Sequence, residues 1–169
     1  MIAQEELLDL LTYRDGRLFW NARVRGRFAT TRAYRSWNSR YAGTLAGRGV
    51  RGYWDITLLG RKWGVHRVIW VMHHGVWPSY IDHIDGNPSN NLLDNLRSVT
   101  HRENLRNCRR RKENKTGISG VRHISKTTWS VSINGSRIGY FDNFFDACCA
   151  RKSAELTHNY HPNHGRSTL

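Results

Sequence analysis

Long apolar runs are missing from the sequence, and none approaches the roughly 18 residues that a membrane-spanning helix needs. The first residues, MIAQEELLDLL, also lack the order of charged, apolar and small residues that marks a secretory signal. We therefore expect an intracellular protein without a membrane partner.

Cysteine is scarce, and its placement excludes a common kind of zinc site. Cys108, Cys148 and Cys149 form no C-x-x-C pair, and adjacent cysteines rarely form a disulfide with each other. We expect reduced structural thiols and no structural zinc. Heptad repeats are also absent, so nothing forces dimerisation. A monomer is the expectation, and a dimer remains an open alternative.

Acidic residues are few, since 13 Asp and Glu stand against 27 Lys and Arg in 169 residues, giving a formal charge of +14. Such a charge attracts polyanions and raises association rates with them. Nucleic acid is the expected partner, rather than a small-molecule substrate. A ribosome- or membrane-associated basic protein and simple solvation remain as alternatives.

The N-terminal part of the chain shows three local patterns. EELLDLLTY predicts a short amphipathic helix, and Asp15-Gly16 within TYRDGRLFWN predicts a tight hairpin. Residues 21–52 are rich in Arg and Gly without a clean period, which predicts a long loop with little regular structure. Such a loop could contact phosphates or be a solvated surface.

Residues 53–75 have a sharper pattern. YWDITLL and RKWGV, separated by Gly60, predict a second hairpin, and HRVIWVMHH predicts a buried helix that ends at Gly75. Its neighbouring histidines, His66, His73 and His74, are expected to be packed or surface residues rather than catalytic ones.

The stretch from Tyr80 to Asn107 carries the chemistry. It predicts a strand ending at Asp82-His83, the turn DGNPSNN, the strand LRSV and a helix from His101. Thr100 and Glu103 have the spacing of a capping box at the start of that helix. The helix carries Asn104, and Asn95 precedes the second strand.

These residue types suit phosphodiester hydrolysis with one metal ion. His83 can accept a proton at neutral pH, while Asp82 and Asn104 offer the hard oxygens that Mg²⁺ or Mn²⁺ prefers. The amide of Asn95 can orient the imidazole or its loop. The alternative is an ordinary turn, because Asp, Asn and Gly cluster in turns for backbone reasons.

The C-terminal part predicts a second module. GVRHI, WSVSIN and SRIGYF read as strands, with Asn134-Gly135 as a hairpin turn. Asn143 is placed to cap a following helix, whose predicted apolar edge is Phe145, Cys149 and Leu156. Alternation places Trp129, Val131 and Ile133 on the face beneath the helix, leaving a polar face free to enter the major groove. We expect Trp129 to belong to the core rather than to stack on a base.

The central segment resembles the HNH endonucleases through HRVIW, IDHIDGN, NNLLDNL, SVT and ENLRN. The resemblance implies His83 as the base that activates water, Asp82 and Asn104 as ligands of one divalent metal, and Asn95 as support for the His-bearing loop. Asn104 stands where that family more often has His, and this form resembles the phage homing endonucleases that nick DNA. His101 is an alternative ligand.

GISGVRHI, W-x-V-x-I and RIGYFDNFFDACCARKSAEL resemble the Apetala or ethylene-response-factor DNA-binding domain, whose sheet reads the major groove. The resemblance implies DNA contacts from Arg122, Ser130, Ser132, Asn134 and Arg137. The basic run before it, which is placed to lie along a groove or to act as a flexible linker, consists of Arg109, Arg110, Arg111 and Lys112.

The expected fold class is α+β, with a ββα-metal nuclease core, N-terminal hairpins and a small domain of three antiparallel strands and a helix. The expected divisions are an N-terminal hairpin and basic loop (1–52), nuclease core (53–108), basic linker (109–116), DNA-binding domain (117–160) and loose tail (161–169). The expected function is a metal-dependent, site-specific endonuclease that nicks double-stranded DNA in the host-cell cytoplasm, encoded by a phage or mobile element. The alternatives are a catalytically weak DNA-binding regulator on the same scaffold and an RNA-binding protein.

Overall fold

The computed structural model describes residues 1–167 of the chain. They form a mixed arrangement of helices and small antiparallel sheets. The chain divides into two compact units, Met1–Thr100 and His101–Leu169. Among the described residues, no helix is both long and apolar enough to cross a membrane.

The first unit begins as the sequence predicts. Helix α1 (Gln4–Leu10) leads into strands β1 (Leu11–Arg14) and β2 (Arg17–Trp20), which pair antiparallel. The hairpin turn needs two consecutive residues with positive φ, and Asp15 (47°) and Gly16 (75°) provide them. A short strand, β3 (Leu45–Ala46), extends the sheet beside β2.

The prediction of a long loop over residues 21–52 is wrong. Helix α2 (Thr31–Tyr41) occupies its middle, and the Thr30 side chain accepts a hydrogen bond from Ala33 N at the helix start. Strands β3 and β4 (Arg48–Val50) follow. No residue of α2 is buried. The helix was missed because it shows no conventional apolar stripe, and aromatic residues alternate with arginines instead.

The second predicted hairpin and the buried helix are confirmed. Strands β4, β5 (Tyr53–Leu58) and β6 (Arg61–Gly64) form an antiparallel sheet. Helix α3 (Val65–His74) ends at Gly75, whose φ of 73° is the left-handed conformation expected of a cap. The core of this unit is apolar, and its buried members include Leu7, Leu11, Leu18, Ile56, Val68 and Ile69.

Strands β7 (Tyr80–His83) and β8 (Leu96–Val99) form a separate antiparallel pair. Their existence and order agree with the sequence prediction. The loop between them contains a 3-10 turn, Leu93–Asn95, and Tyr13 Oη accepts a hydrogen bond from Leu93 N at 3.1 Å. The strand pair is therefore held to the N-terminal hairpin of the same unit.

The second unit starts with helix α4 (His101–Arg106), which begins at the predicted residue. The three predicted strands are present as β9 (Val121–Ser125), β10 (Thr128–Ile133) and β11 (Ser136–Phe141), with β10 in the middle. Val131 and Ile133 are buried, and Trp129 packs against the small core, as predicted.

Helix α5 (Phe144–Thr157) follows Asn143, whose side chain accepts from Asp146 N. The predicted apolar edge is wrong, because Phe145 and Leu156 are 74% and 78% exposed and Cys149 is exposed as well. The buried positions of α5 are instead Ala147, Arg151 and Glu155, spaced four residues apart on one face. A buried ion pair takes the place of apolar side chains there.

The prediction of a loose tail is wrong for residues 161–167. Gly165 N donates to the Cys108 carbonyl at 2.9 Å, and Arg110 N donates to the Arg166 carbonyl at 3.0 Å. The Arg166 side chain also donates to the Asn107 carbonyl at 2.8 Å. The last two positions of the predicted tail lie outside the described residues.

Candidate active site

The register of β7 and β8 sets the surroundings of Asp82. Asp82 lies opposite Arg97 across the strand pair, and both side chains point to the same face. Arg97 donates to Asp82 Oδ2 from Nε at 2.9 Å and from Nη2 at 2.6 Å. The Asp82 side chain is buried, so this charged contact offsets much of the cost of removing a carboxylate from water.

His83 is the next residue of β7 and is also buried. Its Nε2 lies 3.0 Å from Oδ1 of Asn91, which is only 2% exposed. A carbonyl oxygen can only accept, so Nε2 must carry the hydrogen in this contact. In the neutral imidazole the other nitrogen, Nδ1, is then the basic one.

The loop after His83 is organised by hydrogen bonds to Asp85 and Asn95. Asn95 Nδ2 donates to Asp85 Oδ1 at 3.0 Å and to the Asn90 carbonyl at 2.8 Å, and Asn95 Oδ1 accepts from Asp85 N at 3.0 Å. The main-chain oxygen of Asn95 also accepts from Ile84 N at 2.9 Å. Asn95 thus ties the beginning of the loop to its end.

Asp85 is the acceptor at the centre of this loop. Burial raises the pKa of its carboxyl, but hydrogen bonds from Asn87 N, Asn90 and Asn95 outweigh burial, so the pKa lies below its ordinary value. A carboxylate that stays ionised keeps all of these donors in place at neutral pH. The loop that follows His83 is therefore held by its own side chains.

Two aromatic rings border His83 in the first unit. The ring centroids of His66 and His83 are 5.3 Å apart, and those of Tyr53 and His83 are 6.4 Å apart. Burial, reinforced by the nearby charges of His83 and Arg67, lowers the pKa of His66 to about 4. His66 is therefore neutral at pH 7 and adds no positive charge beside His83.

Asn104, the other predicted ligand, lies half-buried on α4 of the second unit. Its main-chain oxygen accepts from Asn107 N at 3.1 Å. Within residues 1–167, no group of three or more His, Cys, Asp or Glu side chains is placed to hold a metal ion. Asp82 and Asn104 each offer a hard oxygen, the carboxylate in the first unit and the amide in the second.

The predicted DNA-binding residues occupy different environments in the second unit. Arg122, Arg137, Arg109, Arg111 and Lys112 are exposed, and Ser130 and Ser132 are half-buried. Arg110 donates to the Gly117 carbonyl at 2.8 Å, and Asn134 accepts from Tyr160 Oη at 2.8 Å. Arg110 and Asn134 thus already take part in the structure of the unit.

The sheet register brings one row of these residues together. Ser130 pairs with Arg122 on β9 and with Tyr140 on β11. The Arg137 guanidinium lies 4.9 Å from the Tyr140 ring centroid. Tyr140 is exposed and was not among the predicted contacts. The turn at Asn134 alone would place Gly139 opposite Ser130, and a register shift between Val131 and Ser132 brings Tyr140 there instead.

Comparison with known proteins bears on the segment around β7 and β8. Residues 64–106 match the HNH endonuclease family model. The matched segment includes Asp82, His83, Asn95 and Asn104. The chain is also similar to Protein 3.8 of Escherichia phage T7, with 45% identity over 58 residues, 33% of this chain and 48% of that protein. The chain thus spans about half the length of this curated relative. No solved structure matches significantly.

Sequence reasoning missed two residues of the matched segment that contact the predicted site. Asn91 was treated as part of a turn, and Arg97 was given no role, whereas His66 was expected to be a packed or surface residue and is packed beside His83. The pairing of the predicted strands would have placed Arg97 opposite Asp82. Asn91 carries no comparable signal, because asparagine is common in turns for backbone reasons.

Proposed function

We propose that the protein is a metal-dependent DNA endonuclease of the homing type that nicks double-stranded DNA at chosen sites. The match of residues 64–106 to the HNH endonucleases supports a nuclease acting on DNA. The observation that carries the proposal is the contact between His83 Nε2 and Asn91 Oδ1, because it leaves Nδ1 as the basic nitrogen. The similarity to a phage protein favours action inside the host cell.

In this proposal His83 is the general base. Its Nδ1 removes a proton from a water molecule, whose oxygen attacks the phosphorus. The bond from phosphorus to the 3′ oxygen breaks, and that oxygen takes a proton from solvent water, which leaves a 5′-phosphate and a 3′-hydroxyl. Asn95 acts as a positioning residue, since it holds both ends of the loop that follows His83.

Asp82 and Asn104 would hold one divalent ion, Mg²⁺ or Mn²⁺. Their oxygens fit a hard cation, and the buried carboxylate of Asp82 provides the only formal negative charge of the pair. The ion would stabilise the charge that develops on the phosphate and the leaving oxygen. Asp82 accepts two hydrogen bonds from Arg97 at Oδ2, and these orient the carboxylate group as a whole.

We further propose that the second unit provides the sequence preference. The exposed side chains of Arg122 and Arg137 flank Ser130 and Ser132 on the β9–β11 sheet. A sheet of this width can enter the major groove and present side chains to base edges. The exposed charges at 109, 111 and 112 would contact phosphates beside it.

The second candidate function is a DNA-binding regulator with little or no cleavage. One observation favours this function. Arg97 forms an ion pair with Asp82 Oδ2, and a guanidinium competes with a metal ion for the same oxygen. Asn104 is neutral, so it adds no negative charge that would favour the metal ion over Arg97. Tight, salt-sensitive binding without cutting would identify this function.

A plasmid-nicking assay separates the two candidates. We expect conversion of supercoiled plasmid to open circles with Mg²⁺ or Mn²⁺, none with EDTA, and loss of activity in His83→Ala. His74→Ala is the matched control, because His74 is an exposed histidine stacked on Trp70 and should be dispensable. Undiminished nicking by His83→Ala would refute the assignment of the base.

A further inference from the structure

Helix α2 has two chemically different faces. Positions three and four apart share a side of a helix, so Arg32, Arg35, Ser36, Ser39 and Arg40 form one face. All five of these residues are exposed. We call this set the arginine-serine face.

The opposite face of α2 is fixed to the first unit. The Trp37 ring lies 6.0 Å from that of Trp20 and 5.3 Å from that of Tyr41, and the Arg23 guanidinium lies 4.0 Å from the Trp37 centroid. Asn38 accepts from Arg23 N at 2.8 Å and donates to the Arg23 carbonyl at 2.9 Å. These contacts fix the rotation of the helix, so the arginine-serine face is held outward.

The arginines around α2 divide into those with an internal role and those without one. Arg27 pairs with Asp9 at 2.5 Å, and Arg25 hydrogen-bonds Thr31 and the Phe28 carbonyl. Arg32 and Arg35 have no hydrogen bond or ion pair among residues 1–167. No Asp or Glu occurs between Asp15 and Asp55 to neutralise them.

This one-sided charge is unusual for a merely solvated helix, since exposed faces generally mix both signs. Guanidinium groups with hydroxyls between them suit the oxygens of a phosphate backbone. A membrane surface is disfavoured, because interfacial helices need a free apolar face and the aromatic face of α2 is already packed.

We infer that the arginine-serine face of α2 binds the phosphate backbone of duplex DNA. It provides a contact that is independent of sequence and separate from the C-terminal sheet. The inference rests on the proposed function for the identity of the polyanion. The first unit would then bind DNA by itself, and DNA binding by the chain would not depend on the second unit alone.

The test uses the full chain with a duplex of arbitrary sequence in EDTA, which removes the divalent ion that cleavage is proposed to need. We expect Arg32→Ala/Arg35→Ala to bind at least about tenfold more weakly at low salt. The slope of log affinity against log salt should fall by about 2, since each lost phosphate contact removes about 0.9. Arg32→Lys/Arg35→Lys should keep the slope, because it keeps the charges.

The matched control is Arg61→Ala/Lys62→Ala, which removes two exposed charges from β6 of the same unit. An equal fall in the control would overturn the inference, since net charge alone would then explain the effect. An unchanged slope in Arg32→Ala/Arg35→Ala would also overturn it, as would a loss confined to duplex RNA. Because binding is measured in EDTA, a failure to nick plasmid refutes the proposed nuclease without changing this readout.

Discussion

In the proposed mechanism, Asn91 determines which nitrogen of His83 acts as the base. Replacement by alanine removes the acceptor of Nε2–H, so the imidazole can rotate or adopt the other tautomer. We expect Asn91→Ala to slow single-turnover nicking about 10- to 100-fold, the range typical of residues that orient a catalytic group. Affinity for duplex DNA in EDTA should stay unchanged, because Asn91 is buried.

Asn91→Asp is the informative partner of that variant. Aspartate keeps an oxygen acceptor at the same reach, so it should recover much of the rate. A purely structural role for Asn91 predicts the reverse, since a buried carboxylate costs more than a buried methyl group. If the alanine variant is the faster of the two, the orienting role is wrong.

His66 makes the stability of the first unit depend on pH. Its pKa is about 4 in the folded protein and about 6.5 in an unfolded chain. Between these values the unfolded state binds a proton that the folded state does not, so stability is complete above pH 6.5 and falls as the pH falls. We expect a loss of about 2 kcal/mol from this group between pH 7 and pH 5.

Chemical denaturation of His66→Gln at both pH values measures this contribution, because glutamine has no charge to gain. The variant should lose about 2 kcal/mol less than the unmodified protein between pH 7 and pH 5, whatever its stability at pH 7. His74→Gln changes an exposed histidine on the same helix. This variant should lose as much stability between pH 7 and pH 5 as the unmodified protein. Equal losses in both variants would contradict the prediction.

Among helices, strands and turns, the structure is easiest to predict from sequence where a residue type fixes the backbone conformation. The turns at Asp15-Gly16 and Asn134-Gly135 were predictable because both need positive φ at consecutive positions. Strands β7 and β8 were predicted on either side of the turn DGNPSNN, so Asp82 and His83 could be placed. Helix α2 and the buried face of α5 were not, because guanidinium groups there take the places of apolar side chains.

The buried face of α5 should depend on Arg151. Its Nε donates to Glu155 Oε1 at 2.9 Å, and its Nη1 donates to the Ser132 carbonyl on β10 at 2.6 Å. Arg151→Ala leaves Glu155 buried without its main partner, which typically costs about 3–5 kcal/mol. We expect hydrogen exchange across β9, β10 and β11 to accelerate strongly in this variant.

Lys152 provides the comparison, since it contacts the other oxygen of Glu155 at 2.7 Å but is half-exposed. Lys152→Ala should cost no more than about 1 kcal/mol and leave exchange in the sheet nearly unchanged. Similar acceleration in both variants would show that the network is governed by the charge of Glu155 rather than by the Arg151 bridge to β10.

On the scale of the whole molecule, a formal charge of +14 attracts any DNA, so sequence choice must come from a smaller set of side chains. We propose a division in which His83 and its neighbours cut and the β9–β11 sheet selects. Arg137 lies at the exposed edge of that sheet, over the Tyr140 ring. Arg137→Ala should therefore relax the choice of cutting sites more than it slows nicking of arbitrary sequence.

Mapping cut positions on a long natural DNA measures both quantities in one experiment. A contact to a base edge is worth about 1–3 kcal/mol of discrimination, so its loss should add new cut sites at the positions that it reads. Lys126→Ala, which removes an exposed charge beside the β9–β10 turn of the same sheet, should keep the original sites. A uniform loss of cutting at all sites in Arg137→Ala would show that Arg137 contacts only phosphate. Other side chains would then select the sites.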